Sequence, residues 1–246
     1  MEKNWLERTE LLIKEDGLLA LKNAHVLIVG LGGVGSFAAE FLTRSGVGKL
    51  TIVDGDDVDI TNINRQLPAL HSTIGKFKVN VVAERLLDIN PNLDLIQHKL
   101  FLSPENIEQF FAENKWNFIV DCIDSVTPKV MLIKFAKRHR TKMVSCFGAG
   151  GKMDPSKVLV RDLYKTESCF LAKTVRKRLR AEHINKGVRC VFSTEIQDEN
   201  SVQLTDGKNY KRSFYGTISY MPAIFGLYAA HEAIDYILKK AKKIED

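Results

Sequence analysis

Short apolar runs alternate with longer segments whose apolar positions recur at helical spacing. The first run, residues 25–29, ends in Gly30-Leu31-Gly32-Gly33-Val34-Gly35, and residues 36–45 behind it read as a helix, giving a strand, a glycine turn and a helix in sequence. Residues 49–53 predict a second strand closed by Asp54. An acidic loop follows, Gly55-Asp56-Asp57-Val58-Asp59, and then Thr61-Asn62-Ile63-Asn64-Arg65-Gln66. Across residues 76–89 the apolar positions Phe77, Val81, Val82, Leu86 and Ile89 predict a helix that Asn90-Pro91 stops. Further strands are expected at 93–98, 118–122 and 142–146. Ser103-Pro104-Glu105 reads as an N-cap, a first-turn proline and a first-turn acid opening a helix through Phe111, and residues 128–140 predict another. Strands alternating with helices predict an α/β, Rossmann-like doubly wound, mostly parallel sheet covered on both faces.

After Asp154-Pro155 the rhythm changes. Strands at 157–161 and 189–195 flank a basic stretch, and no further βα alternation is expected. The chain therefore divides into a core over 1–156 and a C-terminal α+β extension over 157–246, joined in one integrated domain. Residues 218–238 are apolar, yet His231, Glu232 and Asp235 interrupt them, which predicts a helix opening near Pro222 in the core or at a dimer interface, and no membrane span.

Composition changes this picture in three ways. With 246 residues, 45% hydrophobic and 27% charged, the chain is long enough for a full core, which excludes disorder, collagen and a disulfide miniprotein. The net charge of +6 points to polyanion partners, and residues 161–189 alone carry nine cations against three acids. Cys122, Cys146, Cys169 and Cys190 form no Cys-x-x-Cys pair and follow no signal peptide, so they read as reduced thiols of a cytoplasmic protein without structural zinc.

The glycine segment matches G-x-G-x-x-G between a strand and a helix, where missing side chains let backbone N–H groups approach a phosphate. Asp54 ends the next strand, where an acid can accept ribose hydroxyls. A nicotinamide dehydrogenase fits these features equally well, whereas a Walker loop does not, because no Lys-Ser or Lys-Thr follows the glycines. The chain beyond Asp54 separates the readings. Transfer to the α-phosphate of ATP needs cations on the phosphates, met by Arg65 and Lys78, and a carboxylate for Mg²⁺, met by Asp124 at a strand's C-terminal end. Taken singly, Arg65 and Lys78 read as solvated cations and Asp124-Ser125 as a helix cap.

Taken together, Gly30 to Gly35, Asp54, Asp56, Thr61 to Gln66, Lys78 and Asp121-Cys122-Ile123-Asp124-Ser125 resemble, in order and spacing, the superfamily of ubiquitin-activating and sulfur-carrier-adenylating enzymes over residues 5–156. The resemblance implies ATP-dependent adenylation of a carboxylate in a homodimer. It assigns Gly30, Gly32, Gly33, Gly35 and Asp56 to the nucleotide, Asp54 to the ribose, Asn62, Arg65, Gln66 and Lys78 to the phosphates, and Asp124 to Mg²⁺. It also implies that Arg8 reaches the partner subunit's ATP. The chain lacks the two zinc-binding Cys-x-x-Cys pairs of the sulfur-carrier branches. In their place residues 148–155, 189–195 and 216–222 resemble the tRNA threonylcarbamoyladenosine dehydratase branch. That branch implies adenylation of the threonylcarbamoyladenosine carboxylate in tRNA, then dehydrative cyclisation; the alternative is an adenylyltransferase acting on the C-terminus of a ubiquitin-like sulfur carrier. A tRNA substrate gives the basic stretch a role, with Arg176, Lys177, Arg178 and Arg180 on its phosphates, against the plainer reading of a solvated helix face. Cys190 reads as a buried, inert thiol rather than a nucleophile. The sequence leaves open a sulfur-transfer partner protein and a K⁺ or Na⁺ ion near the Gly148 to Gly151 turn.

Overall fold

A computed structural model describes residues 4–204 and 213–245. Helix α1 (Glu7–Lys22), kinked at Lys14, leads into β1 (His25–Val29), α2 (Gly35–Arg44), β2 (Lys49–Val53), α3 (Lys78–Ile89) and β3 (Asp94–His98). The chain then runs through α4 (Ile107–Glu113), β4 (Phe118–Asp121), α5 (Val126–Arg138) and β5 (Lys142–Cys146). The last third holds β6 (Val158–Asp162), α6 (Phe170–Ala181), β7 (Arg189–Ser193), a small hairpin of β8 (Val202–Leu204) and β9 (Ser213–Tyr215), and α7 (Tyr220–Glu245).

Seven strands form one sheet in the order β3-β2-β1-β4-β5-β7-β6, parallel except for β6. The strands over β1, β4 and β5 are apolar runs because both faces are covered. Leu50, Ile28, Val120 and Val144 pack beneath α1, α2, α3 and α7, while Leu27, Ile119 and Phe192 pack beneath α4, α5 and α6. Helix α7 is core material through Met221, Phe225, Ala229 and Ala233, and among the described residues no helix is long and apolar enough to cross a membrane.

Two expectations change. The helix expected from Ser103 begins at Ile107, because Asn106 folds back on the turn: its Oδ1 accepts the Ser103 N–H at 2.9 Å and its Nδ2 donates to the Phe101 carbonyl at 2.8 Å. The βα rhythm also does not end at Pro155. Helix α6 connects β6 to β7, and β7 lies parallel to β5, so these strands widen the same sheet. Pattern reading passes over α6 because only Ala172, Val175 and Leu179 are buried on an otherwise cationic helix.

Candidate active site

The chain winds from β1 to β2 and β3 on one side, then returns to β4, β5 and β7 on the other. The crevice beyond the C-terminal ends of β1 and β4 is thus the switch point where open α/β sheets bind ligands. The glycine turn, Asp54 and Asp124 all fall at this edge.

The four glycines are needed for different reasons. Gly30 has φ +89° and a Cβ there would stand 2.9 Å from the Cys122 carbonyl oxygen. At Gly35 a Cβ would meet the Gly30 carbonyl oxygen at 1.8 Å, and at Gly33 it would meet Pro222 of α7 at 2.9 Å. Packing dictates these three. Gly32 differs, since the nearest atom to its absent Cβ is Nε2 of Gln66 at 3.6 Å. Its bare backbone is the face that a phosphate can approach. The Oε1 of Gln66 is buried without a hydrogen-bond partner among the described residues, so this amide has unused capacity beside that face.

Asp54 fastens the turn to the neighbouring loop. Its carboxylate accepts the Leu31 N–H at 2.6 Å and the Asp56 N–H at 2.8 Å. Burial pushes its pKa up against the pull of Lys78 and those two N–H groups. Lys78, buried at the start of α3, places Nζ 2.9 Å from Asp56 Oδ2. Arg65 donates Nη1 to the Thr61 carbonyl and to Asn64 Oδ1, each at 2.9 Å. Desolvation lowers its pKa while the Asp124 charge opposes, which puts Arg65 and Asp124 in each other's field. Asn62 is buried as part of a turn: its Oδ1 accepts the Asp59 N–H at 3.3 Å, and the Asp59 carboxylate accepts the Thr61 N–H at 2.8 Å. Asp124 itself is exposed at the mouth.

The other expected residues sit elsewhere. Arg8 is exposed on α1. On α6, Lys177, Arg178 and Arg180 are exposed, whereas Arg176 is half-buried and donates to the Thr166 carbonyl at 2.7 Å. Arg178 reaches Thr127 Oγ1 at 2.9 Å, at the foot of the Asp124 loop. Cys190 is fully buried, and burial pushes its thiol pKa well up, so it is an inert core thiol.

Two lysines escaped sequence reasoning. Lys129 is fully buried and donates to Asp121 Oδ2 at 2.7 Å, Ser145 Oγ at 3.0 Å and the Cys146 carbonyl at 2.9 Å. Lys152 is buried with Nζ 2.9 Å from the Ser193 carbonyl oxygen, and Glu195 accepts the Asp154 N–H at 2.8 Å. Together Lys152 and Glu195 tie the turn after β5 to the end of β7. The only sequence signal for Lys129 is its place among Val130, Leu132 and Ile133, which amphipathic spacing alone does not resolve.

Among the described residues no group of three or more His, Cys, Asp or Glu side chains could hold a metal ion. What the edge does offer is a bare backbone at Gly32, the Lys78–Asp56 pair, and Arg65 in the field of Asp124, beside a switch point, features in keeping with a nucleotide-dependent acyl-activating enzyme. Comparison with known proteins agrees: residues 6–246 match the ThiF family model, and the chain belongs to the ThiF family. Within it, the chain falls in the tRNA threonylcarbamoyladenosine dehydratase branch. It is 46% identical over 188 residues to the tRNA threonylcarbamoyladenosine dehydratase of Bacillus subtilis (strain 168), covering 76% of this chain and 74% of that protein. Identity to the Escherichia coli (strain K12) dehydratase is 37%, covering 97% of this chain and 96% of the other. The crystal structure of the E. coli enzyme, TcdA, in complex with ATP superimposes with a TM-score of 0.87 over 97% of this chain and 95% of that one.

Proposed function

We propose that this chain adenylates the carboxylate of threonylcarbamoyladenosine in tRNA with ATP and then closes the ring with net loss of water. The observation that carries this reading is the near full-length likeness to dehydratases, one of them crystallised with ATP, around a switch point where Gln66 lies beside Gly32 and Arg65 and Asp124 lie in each other's field.

The chemistry follows from a weakness of carboxylates: expelling oxide is prohibitive. Attack of a carboxylate oxygen on the α-phosphorus breaks the bond to the β,γ-phosphates and releases pyrophosphate, leaving an acyl-AMP whose leaving group is a phosphate monoester. A nitrogen or oxygen of the substrate's own carbamoyl unit then attacks the acyl carbon, AMP departs and a proton is lost. Ring closure is intramolecular, so it depends on positioning more than on a strong base. Arg65 and Lys78 neutralise charge on the phosphates, and Asp56 keeps Lys78 oriented until ATP competes for it. The bare face of Gly32 and the spare Gln66 amide receive a phosphate, and Asp54 accepts from the ribose. A single exposed carboxylate at Asp124 suits Mg²⁺, which binds through one or two carboxylates plus substrate phosphates and supplies charge neutralisation there.

The protein acts as a homodimer. Leu11 and Leu12 are exposed on α1 beside Arg8, an apolar strip that a second copy would cover while bringing Arg8 to the partner subunit's ATP. All four cysteines are free thiols, in keeping with a reducing cytoplasm. For K⁺ or Na⁺, the Gly150 and Gly151 carbonyls already accept from Gln197 Nε2 and the Asp198 N–H. ATP–pyrophosphate exchange tests the reading: stimulation by tRNA supports it, and stimulation by a ubiquitin-like sulfur carrier alone overturns it.

A further inference from the structure

Beyond the C-terminal end of β7 lies a recess of about 170 Å³ lined by Cys169, Phe170, Lys173, Arg176, Ile196 and Gln197. Its walls are apolar and open, with Phe170 52% and Ile196 80% exposed. Gln197 forms a buried brace, accepting the Phe170 N–H at 3.5 Å and donating to the Gly150 carbonyl at 3.1 Å. Arg176 is turned toward the Leu163 and Thr166 carbonyls, at 3.3 and 2.7 Å, while Lys173 is exposed and joins no ion pair among the described residues. Among the described residues no carboxylate lines the recess. Apolar walls with an exposed aromatic ring, and a cation beside them, suit a neutral aromatic ring linked to an anion, the chemistry of a nucleobase beside its phosphate.

The position of the recess matters as much as its lining. Strands β4, β5 and β7 are successive neighbours, so the recess stands two strand spacings, about 10 Å, along the sheet edge from the end of β4 that presents Asp124. A chain of contacts joins it to the Arg65 segment. Gln197 holds Gly150, Thr217 Oγ1 lies 3.1 Å from where a Gly150 Cβ would stand, and Asn64 Nδ2 donates to the Thr217 carbonyl at 2.9 Å.

We propose that this recess seats the adenine base of the modified nucleoside, stacked on Phe170. The inference rests on the reading above that threonylcarbamoyladenosine in RNA is the substrate. From N6 of that base the carboxyl carbon is four bonds away, roughly 5 Å when extended. That reach covers about half of the distance to the end of β4, so a base in the recess can extend its carboxylate toward the edge that carries Arg65 and Asp124. Helix α6 begins at the recess, and Lys173, Lys177 and Arg180, spaced by four and three residues, share an exposed face along which the flanking phosphates can run.

Equilibrium binding of tRNA carrying the threonylcarbamoyl group, measured across a salt series, tests the proposal. Phe170→Ala should raise the Kd for tRNA by about 5- to 150-fold, the usual consequence of losing one base–aromatic stack, and leave ATP affinity unchanged. Its slope against log salt should match the wild type, because no phosphate contact is lost. Lys173→Ala should flatten that slope, and Phe170→Trp should restore the Kd. A folded Phe170→Ala protein binding tRNA within twofold of wild type overturns the recess assignment alone. Wild-type protein that binds no tRNA at all overturns both this assignment and the functional reading on which it rests.

Discussion

Lys129 Nζ lies 2.7 Å from Asp121 Oδ2, and neither side chain is exposed to solvent. Ser145 Oγ donates to the same carboxylate oxygen at 2.6 Å, and the other carboxylate oxygen accepts the Ile123 N–H at 3.0 Å. This knot joins the ends of β4 and β5 and fixes the first peptide of the loop that carries Asp124. It places a buried ion pair directly beneath the proposed chemistry.

Removing one partner should be costly, since the other is left charged and desolvated. Lys129→Met should lower unfolding free energy by about 3–5 kcal/mol in a urea titration. The Lys129→Met, Asp121→Leu double variant should recover much of that loss, because replacing both charges with apolar groups removes the desolvation penalty. Equal losses in the single and double variants would contradict this reading.

The glycine turn should separate stability from binding. Gly35→Ala forces a Cβ within 1.8 Å of a carbonyl oxygen and should destabilise by about 3 kcal/mol. Gly32→Ala meets only ordinary contacts, so its melting temperature should stay level or rise. Its ATP affinity should nevertheless fall by about tenfold or more, as calorimetry would read. Undiminished ATP binding by Gly32→Ala would remove the phosphate from this face.

Arg65 and Asp124 act on the reaction in the proposed mechanism. Asp124→Ala and Arg65→Ala should each slow pyrophosphate release by about 3 kcal/mol in activation free energy, with melting curves close to wild type. Near-normal turnover by a folded Asp124→Ala protein would displace the Mg²⁺ assignment.

A surface clip between α2 and α3 sets a pH dependence. Burial raises the pKa of Glu40, but hydrogen bonds from Arg85 and Arg44 outweigh it and hold the carboxyl below its ordinary 4.5. A depressed folded-state pKa contributes stability above the unfolded value, and that contribution is lost as pH falls through the folded one. Glu40→Gln should therefore destabilise by roughly 1 kcal/mol or less near neutral pH and by progressively less in acid. A penalty that grows on acidification would show that the Glu40 carboxyl is not held below its ordinary pKa by Arg85 and Arg44.

The strands over β1, β2, β4 and β5 were legible because a doubly covered sheet demands continuous apolar runs, and the glycine turn because its spacing leaves few alternatives. The same reading could not tell Gly32 from Gly33 and Gly35, since the difference lies in Pro222 and the Gly30 carbonyl, contacts across the fold. Lys129 was invisible for a related reason. A lysine at a helical position reads as solvated until Asp121 and Ser145 arrive from neighbouring strands. The five cations of α6 looked alike in sequence, and only packing turned Arg176 inward onto Thr166.

The most direct test is mass spectrometry of tRNA bearing threonylcarbamoyladenosine after incubation with the protein, ATP and Mg²⁺. Loss of one water from the modified nucleoside is expected, strictly dependent on ATP, with one AMP and one pyrophosphate formed per nucleoside converted. An unchanged nucleoside mass, under conditions where the protein binds ATP and tRNA, would contradict it.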